Sequence, residues 1–313
     1  MAFARAEAFA PASMGNVGIG FDVLGLAFES PGDVVVAARR PEPGVSIEAI
    51  YGDGGRLTLD PAKNSAGVAA LATLKLIGTD EGVSLEIHKD LPLASGMGSS
   101  AASAVAAAVA VNAVFGSPLQ KSELLPACLA GEAAVSGYHA DNVAPALLGG
   151  ITLICGTDAD RIYSLPVPSN LVFALVTPNV AVPTVEARAV LPKEIPLKQM
   201  IHQTAEVARA VDALYRGDLR ALAAAMESDI VVEPARKHLM PGLDACRAAA
   251  KGAGALGLVI SGAGPTLAAI CDSPETAKAV AAVLRGVYAE IGMGCVARVT
   301  GVSLDGAGVR ALA

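Results

Sequence analysis

The stretch "LPLASGMGSSAASAVAAAVAVN", Leu91 to Asn112, passes through a glycine-serine turn and becomes a helix made almost wholly of alanine and valine. A helix N-terminus leaves backbone N–H groups unpaired and carries partial positive charge. Glycines ahead of it let the backbone approach an anion with no Cβ in the way. Ser99 and Ser100 add hydroxyls that donate to an anion or ligate a metal. A plain Gly/Ser turn capping a buried helix has the same composition, so this segment alone leaves both readings open. Two relatives of the pattern fall away. Gly96-x-Gly98-x-x-Ala101 fits a dinucleotide (Rossmann) fingerprint in form, but that motif needs a second strand ending near an acidic residue about 20 positions on. Here the helix runs into "FGSPLQKSELL", a turn and another helix. No GxxxxGK[ST] occurs, which excludes a P-loop.

The rest of the chain sets the frame. Its 313 residues are 53% hydrophobic and 17% charged, enough for a sizeable core in one large domain or two ordinary ones. No run approaches the length and apolarity of a membrane span; Ala101 to Phe115 is too short and too alanine-rich. "MAFARAEAFAPAS" lacks the apolar core and basic flank of a secretory signal. Five cysteines without a CxxC pair predict reduced core thiols in a cytoplasmic protein. A net charge of −7, no basic run and no tryptophan argue against a nucleic-acid partner. No membrane partner is expected either.

Strands are predicted at Phe3–Phe9, 32–39, 45–50, 83–87, 151–155 and 171–177, and helices at 65–77 and 121–136. Polar residues and prolines crowd Gly156 to Asn170, which predicts domains of 1–160 and 161–313. Beyond lie a short helix with Thr184 as cap, helices at 198–215, 219–227 and 242–251, and strands 256–261 and 266–271 around "SGAGPT". A long helix at 274–291 has Ser273 as N-cap and Pro274 at its first position. "CVARVTGVS", 295–303, reads as the closing strand. Strands and helices mix in both halves with few clean βαβ repeats, so the fold class is α+β.

Further polar clusters sit among apolar residues. Ser13, Asn16 and Asp22 lie in "FAPASMGNVGIGFDVLGLAF", and Glu132, His139, Asp141 and Asn142 in "GEAAVSGYHADNVAPALLGG". Each is a buried turn network or a ligand site, and a carboxylate there suits Mg²⁺, which takes one or two carboxylates plus phosphate oxygens. The four histidines lack zinc spacing. Arg188 and Arg236 have the planar fork that matches a carboxylate or phosphate, although singly an arginine is more often a surface ion pair.

In their order, "PAS-x-x-N-V-G-x-G-F-D", "PLASGMGSSAA" and "SGAGPT" resemble the GHMP kinases, and more narrowly the homoserine kinases, from about Phe9 to Thr266. "HADNVAPALLGG", "TVEARAVLP" and "VEPARKHLMPG" resemble that family's substrate-side segments. The resemblance implies a two-domain α+β fold, ribosomal-protein-S5-like then ferredoxin-like. It implies transfer of the γ-phosphoryl of ATP to the side-chain hydroxyl of L-homoserine, on the route to threonine. Pro92, Leu93, Ala94, Ser95, Gly96, Met97, Gly98, Ser99, Ser100, Ala101 and Ala102 would form the ATP loop, with Asn64 and Lys89 on the nucleoside side. Ser99 and Glu132 would hold Mg²⁺. Asn16, Asp22, His139, Asn142, Thr184, Arg188 and Arg236 would line the homoserine pocket, with Asp22, Asn142 and Arg188 nearest the chemistry. Gly262 and Gly264 would buttress the loop.

A homodimer is the expected assembly. Met14-Gly15 departs from the small residues usual there, and Met97 replaces a common leucine. Asp22 is expected to take the substrate ammonium, and no Asp–Lys pair of the kind that serves as base elsewhere in the superfamily is evident. A sister kinase for another small alcohol is the nearest alternative. Mevalonate, lacking an ammonium, gives Asp22 nothing to bind. A non-catalytic ATP- or amino-acid-binding regulator is the other, and the retained loop serines and Glu132 argue against it.

Overall fold

A computed structural model of the chain describes residues 4 to 312. Phe3 of the first expected strand, like Met1, Ala2 and Ala313 of the expected domains, lies outside the described residues. The first half comprises β1 (Arg5–Gly15), β2 (Leu24–Arg40), β3 (Val45–Tyr51), α1 (Ser65–Ile77), β4 (Gly82–His88), α2 (Ser99–Val114), α3 (Leu125–Ala133), α4 (Ala140–Leu148), β5 (Ile151–Ile154) and β6 (Ile162–Leu165). The second comprises β7 (Val172–Pro178), α5 (Thr184–Ala189), α6 (Leu197–Arg216), α7 (Leu219–Met226), α8 (Val232–Arg236), α9 (Leu243–Gly252), β8 (Gly257–Ile260), β9 (Leu267–Cys271), α10 (Pro274–Glu290), β10 (Cys295–Thr300) and β11 (Gly308–Leu312).

The first sheet runs β11-β1-β2-β4-β3, and the first residues of the long β2, Leu24 to Leu26, pair with β5, which pairs with β6. Only β3 and β4 lie parallel; the other pairs are antiparallel. The second sheet, β10-β7-β9-β8, is antiparallel and has the ferredoxin-like strand order. The expected division at 160/161 therefore needs correction. β6 lies past it yet pairs with β5, and β11, which the sequence pattern missed, returns to β1. Both ends of the described chain belong to the first sheet.

Helix ends follow their local chemistry. Asn64 caps α1 by accepting from the Ala66 N–H, and Gly78 ends it in the left-handed region. Ser273 caps α10, with Pro274 first in the helix, as predicted. Thr184 differs from expectation: Pro183 holds the cap position of α5 and Thr184 is its first residue. The 121–136 segment splits into a 3₁₀ turn, Lys121–Leu124, and α3.

α2 is the centre of the first half. Every residue from Ala101 to Val114 is buried, so the helix has no polar face. Its alanines let α1, α3, α4, β1 and β2 approach on all sides. Enlarging one would overpack the core at about 1–3 kcal/mol. That central packing fixes where the N-terminus of α2 points. One apolar core joins this layer to β7, β9, α6 and α7, and a second lies between the other face of the second sheet and α9 and α10. Three cysteines are buried in these cores, but Cys155 is exposed and Cys295 half-buried, so not all five are core thiols; all are free. Among the described residues no helix is long and apolar enough to cross a membrane.

Candidate active site

A cleft of about 1370 Å³, its open mouth included, lies where the two halves meet. The 91–102 loop forms one wall. Leu93, Ala94, Ser95, Gly96, Gly98, Ser99 and Ser100 line it; Pro92, Met97, Ala101 and Ala102 do not. Met97 is buried and receives a bond from the Thr177 hydroxyl, and the Ala102 N–H is already committed to Gly98 O. Gly98 caps α2 at φ +64° with no side-chain cap bond. Among the described residues no acceptor meets the N–H groups of Gly96 to Ala101. This is the open helix N-terminus that an anion needs.

The other two glycine motifs hold this loop in shape. Ser261 donates its hydroxyl to Gly96 O (2.8 Å), and Thr266 N–H bonds Ser95 O (3.1 Å). Ser13 N–H bonds Met97 O (3.1 Å). The fit leaves no room for side chains. A Cβ on Gly96 would sit 2.3 Å from Ser261 O, and one on Gly98 2.1 Å from the Ser13 hydroxyl. The departure at Gly15 has a similar cause: a Cβ there would lie 2.2 Å from an Asp141 carboxylate oxygen.

Glu132, from α3, is buried beside the first turn of α2. Its Oε2 has no partner, and burial pushes its pKa up to about 7 against the pull of Ser100, Ser136 and Lys89. The hydroxyl next to it is Ser100, which shares a 3.2 Å hydrogen bond with Ser136. Ser99, the expected ligand, instead turns its hydroxyl to Leu91 O (3.3 Å). Asn64 and Lys89 border the cleft, but their polar atoms are engaged. Asn64 bonds Thr58 O and the Ala66 N–H, and Lys89 is buried against Asp33. An Asp–Lys pair thus exists after all. Asp33 also accepts from the Asp90 and Leu91 N–H groups and the Ser103 hydroxyl, and is no free base.

The opposite end is built from charged side chains on scattered segments. Asp22 stands at φ +59°, its N–H held by the Asn16 amide oxygen (3.0 Å), while Asn16 donates to Gly262 O (3.0 Å). Arg188 forks onto Asp22 at 2.6 and 3.1 Å. Arg236 is buried and donates to Ala187 O and Gly262 O, both at 3.0 Å. Both guanidinium groups lie over the Phe21 ring, at 5.3 and 5.4 Å. Burial, and then Arg188, pushes the Arg236 pKa down to about 10. Two guanidinium groups over one ring, with one carboxylate paired to Arg188 alone, leave Arg236 free to meet an anionic ligand.

His139 lies 3.9 Å from Asp22, but burial and Arg188 lower its pKa, so at neutral pH it is an uncharged neighbour. Asn142 accepts from the Ser13 hydroxyl (3.0 Å) and Gly15 N–H (3.1 Å), leaving its NH₂ as donor. Thr184 lines the cleft beside Arg188. Six of the seven expected pocket residues line the cleft, and Asp22 adjoins it through its pair with Arg188. Asp141 was named only as a member of a polar cluster, with no role of its own, and Phe21 and Ser136 were missed. Asp141 is a buried carboxylate lining the cleft; burial and then Asp22 push its pKa up to about 7. Its placement depends on α4, which the pattern obscured because Pro145 lies inside that helix. An acidic residue among alanines was the only signal.

An open helix N-terminus beside a buried carboxylate, facing a cluster of arginines and carboxylates, suits small-molecule phosphotransfer. Comparison with known proteins gives the same class. Residues 64–150 match the GHMP kinases N terminal domain, and 210–290 the GHMP kinases C terminal. The homoserine kinase of Chlorobaculum tepidum is 44% identical over 291 residues, 90% of each chain. That of Arabidopsis thaliana is 44% identical over 296 residues, 93% of this chain and 80% of the relative. The crystal structure of homoserine kinase from Cytophaga hutchinsonii superposes with a TM-score of 0.94 at 40% identity, covering 98% of both chains. The chain belongs to the GHMP kinase family and, within it, to the homoserine kinases.

Proposed function

We propose that this chain transfers the γ-phosphoryl group of ATP to the side-chain hydroxyl of L-homoserine, giving O-phospho-L-homoserine for threonine biosynthesis. One observation carries the reading: a single cleft has an open helix N-terminus at one end and, at the other, Arg236 and Arg188, the latter paired with Asp22. Phosphoryl transfer asks chiefly for positioning and charge neutralisation, and these two ends supply both.

The N–H groups at the start of α2 bind the ATP phosphates. Glu132 and Ser100 would hold Mg²⁺, with Ser99 the alternative hydroxyl. The orphaned Glu132 oxygen and its raised pKa suit a cation, and so does the single carboxylate, since this metal completes its shell with phosphate and water. Held there by Glu132 and Ser100, a Mg²⁺ ion would supply charge neutralisation for the transferring phosphoryl group. At the far end a zwitterion separates the Asp22–Arg188 fork. Its carboxylate takes Arg188 and Arg236, and its ammonium takes Asp22 and Asp141. The Asn142 NH₂ orients the hydroxyl, with His139, Thr184 and Asn16 completing the wall. No carboxylate here is both free and placed as a base, so the hydroxyl proton leaves to the phosphate or to solvent.

ATP consumption by purified protein, with and without L-homoserine, tests the reading, with mevalonate, galactose and shikimate as competitors. Turnover with homoserine alone is expected; preference for another alcohol overturns the substrate. Asp22→Asn is expected to raise the homoserine KM more than it lowers kcat. Lost turnover at intact homoserine affinity would refute the ammonium role. We propose also that the protein works in the cytoplasm as a homodimer. Leu197, Met200 and Ile201, exposed on one face of α6, support the pairing. Light scattering that reports a monomer would refute it.

A further inference from the structure

The open N–H groups ride on a loop whose two ends are tied to one buried ion pair. At the entry, Asp33 of β2 accepts from the N–H groups of Asp90 and Leu91, each at 3.2 Å. At the exit, Lys89 donates to Ser99 O (2.8 Å) and to the Ser103 hydroxyl (2.7 Å). Asp33 and Lys89 pair directly, and Ser103 bridges them by donating to Asp33 (2.8 Å). The Ser99 hydroxyl closes the ring on Leu91 O (3.3 Å). The two paired side chains are 0% and 2% exposed.

Such a pair is a poor device for stability alone. Desolvation offsets its attraction, and apolar residues of similar volume often hold a fold as well or better. Burial already drives the Lys89 pKa down while Asp33 drives it back up. An apolar pair cannot supply oriented bonds to both mouths of a loop, or a cation under the first turn of α2. We propose that Asp33 and Lys89 are positioning residues for phosphoryl transfer: by clasping Leu91 and Ser99 they set the span of the 91–99 loop and aim its N–H groups at the triphosphate. Neither touches the reacting atoms. The proposal rests on the reading of this loop as the ATP site.

The test is the double variant Asp33→Asn/Lys89→Met, which keeps volume and removes both charges together. Its Tm is expected to stay near the wild-type value. Its ATP KM is expected to rise about tenfold while the homoserine KM stays within about twofold. Asp33→Asn alone should lose far more Tm, because it strands a buried ammonium. A folded double variant with the wild-type ATP KM overturns the proposal, as does an equal loss for both substrates. Should the double variant fail to fold, Ser103→Ala decides. A rise of about threefold in ATP KM alone supports the clasp, and no rise overturns it. Calorimetric titration of ATP with Mg²⁺ separates the two layers of the argument. No binding to the wild type refutes the ATP loop itself; equal binding to wild type and variants refutes only the clasp.

Discussion

The two ends of the cleft are built on different principles. The phosphate end is backbone: glycines, unpaired N–H groups and a helix whose body is buried on every side. The end proposed for homoserine is side chain: Arg188, Arg236, Asp141, Asn16 and Asn142 line it from segments more than 200 residues apart, and Asp22 pairs with Arg188. A backbone site needs its partners at van der Waals distance and tolerates no added atom. A side-chain site without ligand pairs its own charges, as Asp22 and Arg188 do, and rearranges when a zwitterion arrives. The first end should therefore break through shape and the second through charge.

The largest break is expected at Gly96. Gly96→Ala puts a methyl against Ser261 O and Gly264 N in a backbone at φ +78°. Loss of roughly a hundredfold or more in kcat/KM for ATP is expected from the misplaced loop, read by steady-state kinetics. Next comes Arg188→Met, which keeps length and removes the fork. Homoserine KM should rise about 10–100-fold with ATP KM unchanged, since bonds to a charged group contribute about 1.5–3 kcal/mol. A rise in ATP KM instead would erase the distinction between the two ends.

Glu132→Gln sharpens the comparison, because Glu132 is the one charged side chain at the backbone end with an unpartnered oxygen. The Mg²⁺ concentration for half-maximal rate should rise about tenfold. The same variant tests the pKa. With Glu132 near 7 in the fold and 4.5 as its ordinary value, the native state holds the extra proton between those limits. Stability from this group is thus full below about pH 4.5 and falls as pH rises to about 7. The ligand-free Gln variant should melt higher than wild type at pH 8, by roughly 5 °C, with the gap closing by pH 5. Wild-type Mg²⁺ affinity should also weaken as pH drops below 7. The smallest effect belongs to Phe21→Leu, which removes the ring beneath both arginines. A rise of about 3–10-fold in homoserine KM, at unchanged ATP KM, is expected from two cation–π contacts.

The phosphate end was largely legible. Loop, helix and buttress are contiguous motifs, and glycine is the residue that chain geometry requires there. Six of the residues that line the other end of the cleft were also named, through the resemblance of short segments. What escaped were residues whose role depends on a distant partner. Lys89 borders the cleft with its ammonium bonded to Asp33, Ser99 and Ser103; Asp33 reads as an ordinary strand residue until Lys89 meets it; Asp141 needed α4 to aim it.

By itself, then, the sequence determined most of the helices and strands and the glycine-serine turn at the head of α2, because propensity, capping and glycine content act within a few residues. Only the tertiary structure decided which serine stands beside Glu132, which lysine is buried against which aspartate, and that the last strand returns to the first sheet. Those outcomes depend on desolvation and on contacts between residues far apart in the chain, and neither is written in local spacing.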